Sequence, residues 1–181
     1  MNGLRFKIIC YLLGYCGALV PGYAQTEKID ELQLKAALLV KMFDFIEWPA
    51  LHRPRDNVFL IGVYQDTEVL HVLQKSYAER MAKARGIEVV PIRDEHDMLH
   101  VPFDVIWLGR LSDARLQDIL PYIQQSSALI VSDTPGYAQK ISMVNFFESE
   151  GKVKFEINTR ILTQKGFVAN FRLLKLAKVV K

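Results

Sequence analysis

The chain has 181 residues, of which 50% are hydrophobic and 24% are charged, and its formal net charge is +3. This composition excludes a disordered polypeptide, a collagen-like repeat and a small disulfide-stapled protein. Only the first stretch of the chain is continuously apolar, which excludes a polytopic membrane protein. The length fits one domain that buries a single large core.

The N-terminal segment has the three parts of a secretory signal peptide. Arg5 and Lys7 precede an apolar run from Ile8 to Val20, and Gly22 and Ala24 place small residues where signal peptidase reads the chain. The apolar run is shorter than the roughly 20 residues of a permanent membrane-spanning helix, which argues against an uncleaved anchor. We therefore predict a signal peptide over residues 1–24, cleavage after Ala24 and export to the periplasm.

Removal of this leader changes the charge and the thiol content of the protein. Both cysteines, Cys10 and Cys16, belong to the leader, so the mature chain has no disulfide and no cysteine metal site. Arg5 and Lys7 leave with it, so 21 basic residues face 20 acidic ones and the net charge is +1. This near balance argues against a dedicated nucleic-acid-binding protein, which would carry a concentrated basic surface.

The mature chain, residues 25–181, is predicted to form one α/β domain. Apolar residues recur at helical spacing over 25–48, where Leu32, Ala36, Leu39 and Phe43 predict the first helix. Further helices are predicted over 67–85, 112–125, 158–165 and 170–181. Continuous or alternating apolar runs predict strands over 57–64, 86–92, 103–108, 128–131, 141–147 and 152–158. The alternation of strands and helices is typical of a parallel sheet, and the last two strands predict an antiparallel hairpin. We expect a central mixed sheet with helices on both faces.

Several motifs in the mature chain resemble those of the YfiR-like periplasmic proteins, a family also catalogued as a domain of unknown function. The resemblance covers nearly all of the mature chain. The motifs follow one another in the family's order: Lys35–Leu38 through Phe45–Pro49, Val131–Ala138, Met143–Phe146, Gly151–Asn158 and Arg172–Ala177.

This resemblance implies a non-catalytic regulator in the periplasm of a Gram-negative bacterium. Characterised members bind the periplasmic part of an inner-membrane diguanylate cyclase and repress cyclic-di-GMP synthesis, which controls biofilm formation and motility. An outer-membrane lipoprotein sequesters the repressor, and related domains occur near sensor kinases. This chain departs from the family in lacking the cysteines of some members and in placing Lys140-Ile141-Ser142 where a glycine pair is usual.

A turn follows the predicted strand 128–131 and is the first candidate binding loop. Pro135 presets its own φ, and Gly136 is able to take the positive φ that comes next. Asp133 begins this turn, and ligands of open α/β sheets bind beyond the carboxyl ends of strands. The pattern fits either a binding loop or a purely structural turn.

A second candidate surface surrounds the end of the first predicted helix. Trp48, between Glu47 and Pro49, serves either as a core anchor or as part of an aromatic patch for a partner, since Trp and Arg dominate interface hot spots. Alternation along the strand 152–158 points Glu156 outward. Glu156 and Arg172 are therefore predicted either to add polar groups to this patch or to be ordinary surface residues.

The last predicted helix carries a basic row, and the loop near residue 96 carries two histidines. Arg172, Lys175, Lys178 and Lys181 form the row, which fits either favourable helix-dipole interactions or contact with an anionic surface. His96 and His100 are spaced as zinc ligands on one helix face, but Pro102 opposes a long helix and no His-Glu-x-x-His motif is present.

Three functions follow from these patterns, and the first is our prediction. It is a non-enzymatic regulator that needs no metal or cofactor and binds an inner-membrane diguanylate cyclase or sensor kinase. The alternatives are a small-molecule-binding module near Trp48 and Asp133, and a metal-dependent enzyme that uses His96 and His100. The sequence leaves a homodimer open.

Overall fold

The computed structural model describes residues 22–50, 57–78, 81–82 and 85–181. Its helices are α1 Gly22–Phe43, α2 Thr67–Tyr77, α3 Asp97–His100, α4 Asp113–Gln125, α5 Tyr137–Lys140, α6 Thr159–Gln164 and α7 Phe171–Leu176. Its strands are β1 Ile46–Glu47, β2 Val58–Tyr64, β3 Met81–Ala82, β4 Arg85–Ile92, β5 Val105–Leu108, β6 Leu129–Ser132, β7 Val144–Ser149, β8 Lys152–Asn158, β9 Val168–Ala169 and β10 Lys178–Val180.

The predicted leader lies mostly outside the described residues. Residues 1–21 belong to the part that the structure does not describe, and α1 begins at Gly22. Within the described ranges, no helix combines the length and the apolar character needed to cross a bilayer. Cleavage after Ala24 stays a prediction.

The main sheet has eight strands in the order β10-β8-β7-β6-β5-β2-β4-β3. Strands β4, β2, β5, β6 and β7 run parallel, while β7 and β8 form an antiparallel hairpin. A second, two-stranded sheet joins β1 to β9. The predicted α/β class with a mixed sheet and a C-terminal hairpin is confirmed.

Helices pack on both faces of this sheet. Successive strand residues point to opposite faces, so Phe59 and Tyr64, five positions apart on β2, face different layers. On one face Phe43 of α1 stacks on Phe59 with ring centroids 4.5 Å apart. On the other, Arg115 of α4 donates to the Tyr64 hydroxyl. Both layers bury apolar side chains, and Trp107 of β5 is 1% exposed.

Side chains cap four of the helices where the sequence predicts their starts. Asp66 accepts the Val69 N–H at 3.0 Å at the start of α2, and Ser112 does the same for α4. Asn158 and Asn170 accept main-chain N–H groups at the starts of α6 and α7. Each cap satisfies a helix donor that would otherwise lack a partner.

Three predicted helix ends are wrong because strand pairing takes over the backbone. Helix α1 ends at Phe43 rather than at residue 48, since Ile46–Glu47 pairs with β9. Helix α2 ends at Tyr77 rather than at residue 85, since Arg85 and Gly86 belong to β4. Helix α7 ends at Leu176, since Lys178–Val180 pairs in parallel with β8.

Candidate functional site

The carboxyl ends of β2, β5 and β6 meet at one edge of the sheet, as in other open parallel sheets. Asp66 follows β2 and Asp133 follows β6, while Trp107 lies one residue before the end of β5. The negative charge of Asp133 raises the pKa of Asp66, after burial as the larger cause. The two carboxylates therefore lie close enough to interact.

Lys35 of α1 joins this edge to the first helix. Its Nζ contacts the Asp133 Oδ2 at 2.7 Å and the Glu31 Oε1 at 2.6 Å, and the residue is 6% exposed. Burial alone lowers the pKa of Lys35, but the hydrogen bonds and charges of Asp133 and Glu31 outweigh it and raise the pKa. Lys35 stays protonated at neutral pH, and we call this group of three residues the Lys35 clamp.

Two buried polar atoms at this edge lack a hydrogen-bond partner among the described residues. They are Trp107 Nε1 and Thr134 Oγ1. The Trp107 indole faces Asp66 and lowers its pKa, although the pair falls short of hydrogen-bond geometry. The gap between Trp107, Lys35 and α2 has no room for a water-sized molecule. A ligand would have to displace side chains to enter.

The turn after β6 has the conformation that its sequence predicts. Gly136 has a φ of +84°, and Tyr137 N–H donates to the Thr134 carbonyl at 3.2 Å. Pro135 lies between these residues, where its fixed φ suits the turn. Asp133 faces Lys35 rather than open solvent, so the turn holds α1 in place.

Trp48 is anchored in an aromatic cluster. Its ring makes edge contacts with Phe43, Phe59 and Phe167 at centroid distances of 5.6–5.8 Å. Its Nε1 donates to the Asp104 carbonyl at 3.4 Å. Glu47, in contrast, is exposed on β1. Of the two interpretations of Trp48, the core anchor describes these contacts.

An apolar groove opens between α1, α7 and β8, and it is the candidate docking site. Its volume is about 210 Å³. Phe155, Met42 and Leu173 are buried and form its floor. The complete lining consists of Leu38, Lys41, Met42, Phe45, Phe155, Arg172, Leu173 and Leu176.

The rim of the apolar groove combines exposed apolar surface with positive charge. Leu176 is 76% exposed, although it lines the groove beside the buried apolar side chains of the floor. Lys41 and Arg172 are the charged lining residues, and Lys175 lies over the Phe171 ring at 4.6 Å. Exposed apolar surface rimmed by polar groups is typical of a protein-interaction site.

Glu156 and Arg172 do not share one patch, so of the two interpretations the one in which both add polar groups to the surface around Trp48 does not describe the structure. Arg172 lines the apolar groove with Phe155. Glu156 follows Phe155 on β8 and therefore faces the opposite side of the sheet. It is only 7% exposed rather than outward-facing in solvent, and its Oε1 contacts Lys178 Nζ at 2.7 Å.

The predicted basic row is also divided by the fold. Arg172 and Lys175 belong to α7, whereas Lys178 belongs to β10 and Lys181 follows that strand. Lys178 forms the ion pair with Glu156 across the β8–β10 register. The four cations therefore do not form one helix face.

The two histidines lie at an exposed corner. His96 Nδ1 is 2.8 Å from Asp94 Oδ1, and its Nε2 is 3.3 Å from the Tyr122 hydroxyl. Helix α3 is a single turn that ends at His100, before Pro102. Within the described ranges, no group of three or more His, Cys, Asp or Glu side chains is arranged to hold a metal ion.

Sequence reasoning missed the partners of the residues that it singled out. Lys35 and Asp133 are 98 positions apart, and Phe155 meets α1 only through the packing of β8 against that helix. One signal was available for Lys35, because it lies three positions after Leu32 and four before Leu39, at the spacing of the apolar stripe of α1. The other contacts depend on tertiary packing.

Two solved structures share this fold. A conserved domain protein from Vibrio cholerae O1 biovar El Tor is 12% identical, with a TM-score of 0.55 over 83% of this chain and 60% of that one. The ABC domain from Streptococcus pneumoniae, in complex with L-Trp, is 11% identical, with a TM-score of 0.55 over 83% of this chain and 62% of its own. The chain thus spans about 60% of the length of these structures.

The sequence itself matches a family rather than an individual characterised protein. No curated protein matches the chain. The family model described as YfiR/HmsC-like matches residues 32–178, which begin in α1 and end in β10. This span holds Lys35, Asp133 and the whole lining of the apolar groove. The chain therefore belongs to the YfiR/HmsC-like family, a group of periplasmic regulatory proteins.

Proposed function

We propose that this protein is a periplasmic repressor that docks its apolar groove onto the periplasmic part of an inner-membrane signalling enzyme, a diguanylate cyclase. Family membership supports the regulatory role in general. The exposure of Leu176 beside a buried apolar floor is the observation that carries the docking proposal, because a monomer gains nothing from leaving that side chain in water.

The charge of the rim defines the partner surface. Lys41 and Arg172 flank the groove, so a partner segment with apolar side chains and neighbouring carboxylates would complement it. Association in this geometry places an aliphatic or aromatic anchor over Phe155 and Leu173. Such buried anchors provide most of the binding free energy in protein interfaces.

Repression follows if the bound partner is the inactive conformer. Binding shifts a conformational equilibrium only by the difference in affinity for its two states. The repressor must therefore bind the inactive cyclase more tightly than the active one. An outer-membrane lipoprotein that competes for the same groove would release the enzyme.

The test compares a groove variant with a matched surface variant. Leu176→Glu places a charge in the groove, whereas Leu99→Glu makes the same change at an exposed leucine of α3. We expect the wild-type protein and L99E to capture a diguanylate cyclase from membranes of the source bacterium. We expect L176E to lose at least tenfold in affinity and to abolish repression of cyclic-di-GMP synthesis.

Three results would contradict the proposal. Capture of neither a cyclase nor a sensor kinase would remove the regulator role, whereas capture of a kinase alone would change the partner. Equal binding by L176E and the wild type would remove the groove from the interface.

Arg172→Glu, compared with Arg110→Glu on another surface, tests the contribution of charge in the same assay.

A second candidate, a small-molecule-binding module, is favoured by the unpartnered Trp107 Nε1 and Thr134 Oγ1 at the carboxyl edge. A ligand there would offer acceptors to both groups and would displace the Lys35 side chain. Thermal-shift screening of amino acids and nucleotides tests this role, because a ligand that binds the folded state raises Tm. A ligand that stabilises the wild type but not Thr134→Val would support it.

A further inference from the structure

A basic cleft lies on the face of the sheet opposite the apolar groove. Its volume is about 430 Å³, and it opens between α4, α5 and α6. Val131 shares a face with Ile157 through the register Val131–Val144–Ile157, and Phe155 lies on that same face. Ile130, the neighbour of Val131, therefore points to the other side, where it contributes to the cleft floor.

The floor of the basic cleft is apolar and buried. Ile130, Ile141 and Met143 are each at most 5% exposed, and Ile161 of α6 lies against the core beside them. These side chains offer an aliphatic surface with no hydrogen-bonding groups. A volume of this size falls within the range of ligand pockets in proteins.

The rim of the basic cleft is cationic. Lys140 ends α5, Arg160 lies in the first turn of α6, and Lys165 follows that helix. No acidic residue of the described chain lines the cleft, and neither Lys140 nor Arg160 forms an ion pair with a described residue. Three positive charges from separate positions thus converge without a counter-ion from the described chain.

Lys165 differs from the other two cations because its ammonium group is held by main-chain carbonyls of the protein. Its Nζ donates to the carbonyls of Ile123 and Ser126 at 3.4 and 2.8 Å, and also to that of Gln124, at the end of α4. These bonds fix the side chain as one wall of the cleft. Lys140 and Arg160 are left to hold a ligand's negative group.

We propose that the basic cleft binds one molecule of an anionic amphiphile, with its carboxylate or phosphate between Lys140 and Arg160 and its aliphatic chain on the isoleucine floor. An apolar floor beside two cations that have no ion-pair partner among the described residues selects this class, because inorganic anions cannot use the floor and neutral alcohols cannot use the rim. The site is independent of the proposed docking groove, which lies on the opposite face.

The test uses decyl phosphate, octyl phosphate, decanoate, decanol and inorganic phosphate. The amphiphiles are kept at concentrations where they are monomers. Isothermal titration calorimetry should give saturable, one-to-one binding of decyl phosphate. Octyl phosphate, which is two methylenes shorter, should bind about fifteenfold more weakly, since each buried methylene contributes roughly fourfold in affinity. Decanoate binding identifies a carboxylate source, and its failure beside decyl phosphate identifies a phosphate source.

A charge-reversed variant locates the site. Lys140→Glu with Arg160→Glu changes two exposed side chains, and Lys152→Glu makes a matched change on the β7–β8 hairpin. We expect the double variant to lose at least tenfold in affinity for decyl phosphate and K152E to bind like the wild type. Thermal unfolding of each free variant shows whether its fold is intact.

Three outcomes would overturn the proposal. They are equal binding of decyl phosphate by the folded double variant, equal binding of inorganic phosphate and decyl phosphate, and binding to phosphatidylglycerol vesicles without any binding of monomers. The double variant should still capture the membrane partner. Loss of amphiphile binding and loss of partner capture are therefore separate results.

Discussion

Asp104 has no solvent-exposed surface, and the protein uses both of its carboxylate oxygens. Oδ1 accepts from Arg85 Nη2 at 2.7 Å, and Oδ2 accepts the main-chain N–H of Leu60 at 2.8 Å. Arg85 also lies over the Phe59 ring at 4.9 Å. This one side chain therefore connects β4 and the start of β5 to the central strand β2.

We expect Asp104→Asn to lower the free energy of unfolding by about 2–3 kcal/mol, because it removes the carboxylate charge 2.7 Å from the mostly buried Arg85 guanidinium while keeping an acceptor for Leu60. Urea denaturation with an unchanged m-value measures this loss. Asp44→Asn, at an exposed position, is the control. A loss no greater than that of the control would show that the ion pair adds no net stability.

The charge of Asp66 makes the stability of the protein depend on pH. Burial first, and the charge of Asp133 next, raise the pKa of Asp66 in the folded protein above its ordinary value of 3.8. The folded state therefore favours the protonated form, and the charge of Asp66 reduces stability at pH 7. This penalty disappears as the pH falls from the raised pKa to below 3.8.

Asp66→Asn removes the charge and keeps a good helix N-cap. We expect its Tm at pH 7 to exceed that of the wild type by roughly 2 °C, and the difference to vanish near pH 3. Thermal unfolding followed by circular dichroism across this range measures it. A difference that stays constant with pH would disprove the role of the charge.

The close packing around the middle of strand β2 requires a glycine at position 62. A Cβ at Gly62 would lie 2.6 Å from Ile92 Cδ1 and 2.8 Å from Phe103 Cε1. Gly62→Ala therefore overpacks the layer between β2, β4 and the segment that precedes β5, and we expect a loss of about 1–3 kcal/mol. Gly86→Ala is the matched control, since its nearest neighbour is an ordinary 3.7 Å away. Equal stability of the two variants would contradict this packing argument.

Sequence patterns predict the elements whose burial and hydrogen bonds are local. The continuous apolar run of β2 and the alternation of β8 give their strands directly, and Asp66 and Asn158 mark helix starts. The same reasoning fails where a distant strand takes over the backbone. Arg85 and Lys178 look helical in sequence, but the first begins β4, a strand that pairs with β2, and the second pairs with Glu156 of β8.

The candidate site is less predictable than the fold for the same reason. Arg172 and Asp133 were predicted as functional positions, and the turn around Gly136 has its predicted geometry. Their partners come from far along the chain: Phe155 for Arg172, and Lys35 for Asp133. Periodicity places a residue on a face of its own element, but it does not say which other element covers that face.

Strand β10 is the edge strand at one side of the main sheet. Removal of residues 178–181 would expose the backbone of β8 and leave the buried Glu156 without its Lys178 counter-ion. We expect this truncation to lower Tm by several degrees and to promote self-association through the open strand. Calorimetry and light scattering measure the two effects, and removal of Lys181 alone is the control. A monomeric truncated protein with an unchanged Tm would contradict the prediction.

Helix α1 carries both Lys35 and much of the apolar groove, including Leu38 and Met42. A partner that shifts this helix must therefore stretch the 2.7 Å contact from Lys35 to Asp133, two turns from Met42 along the same helix. Binding of a partner in the apolar groove would thus move the turn after β6. We expect hydrogen exchange at the Tyr137 amide to become faster when the partner binds, because this amide belongs to that turn.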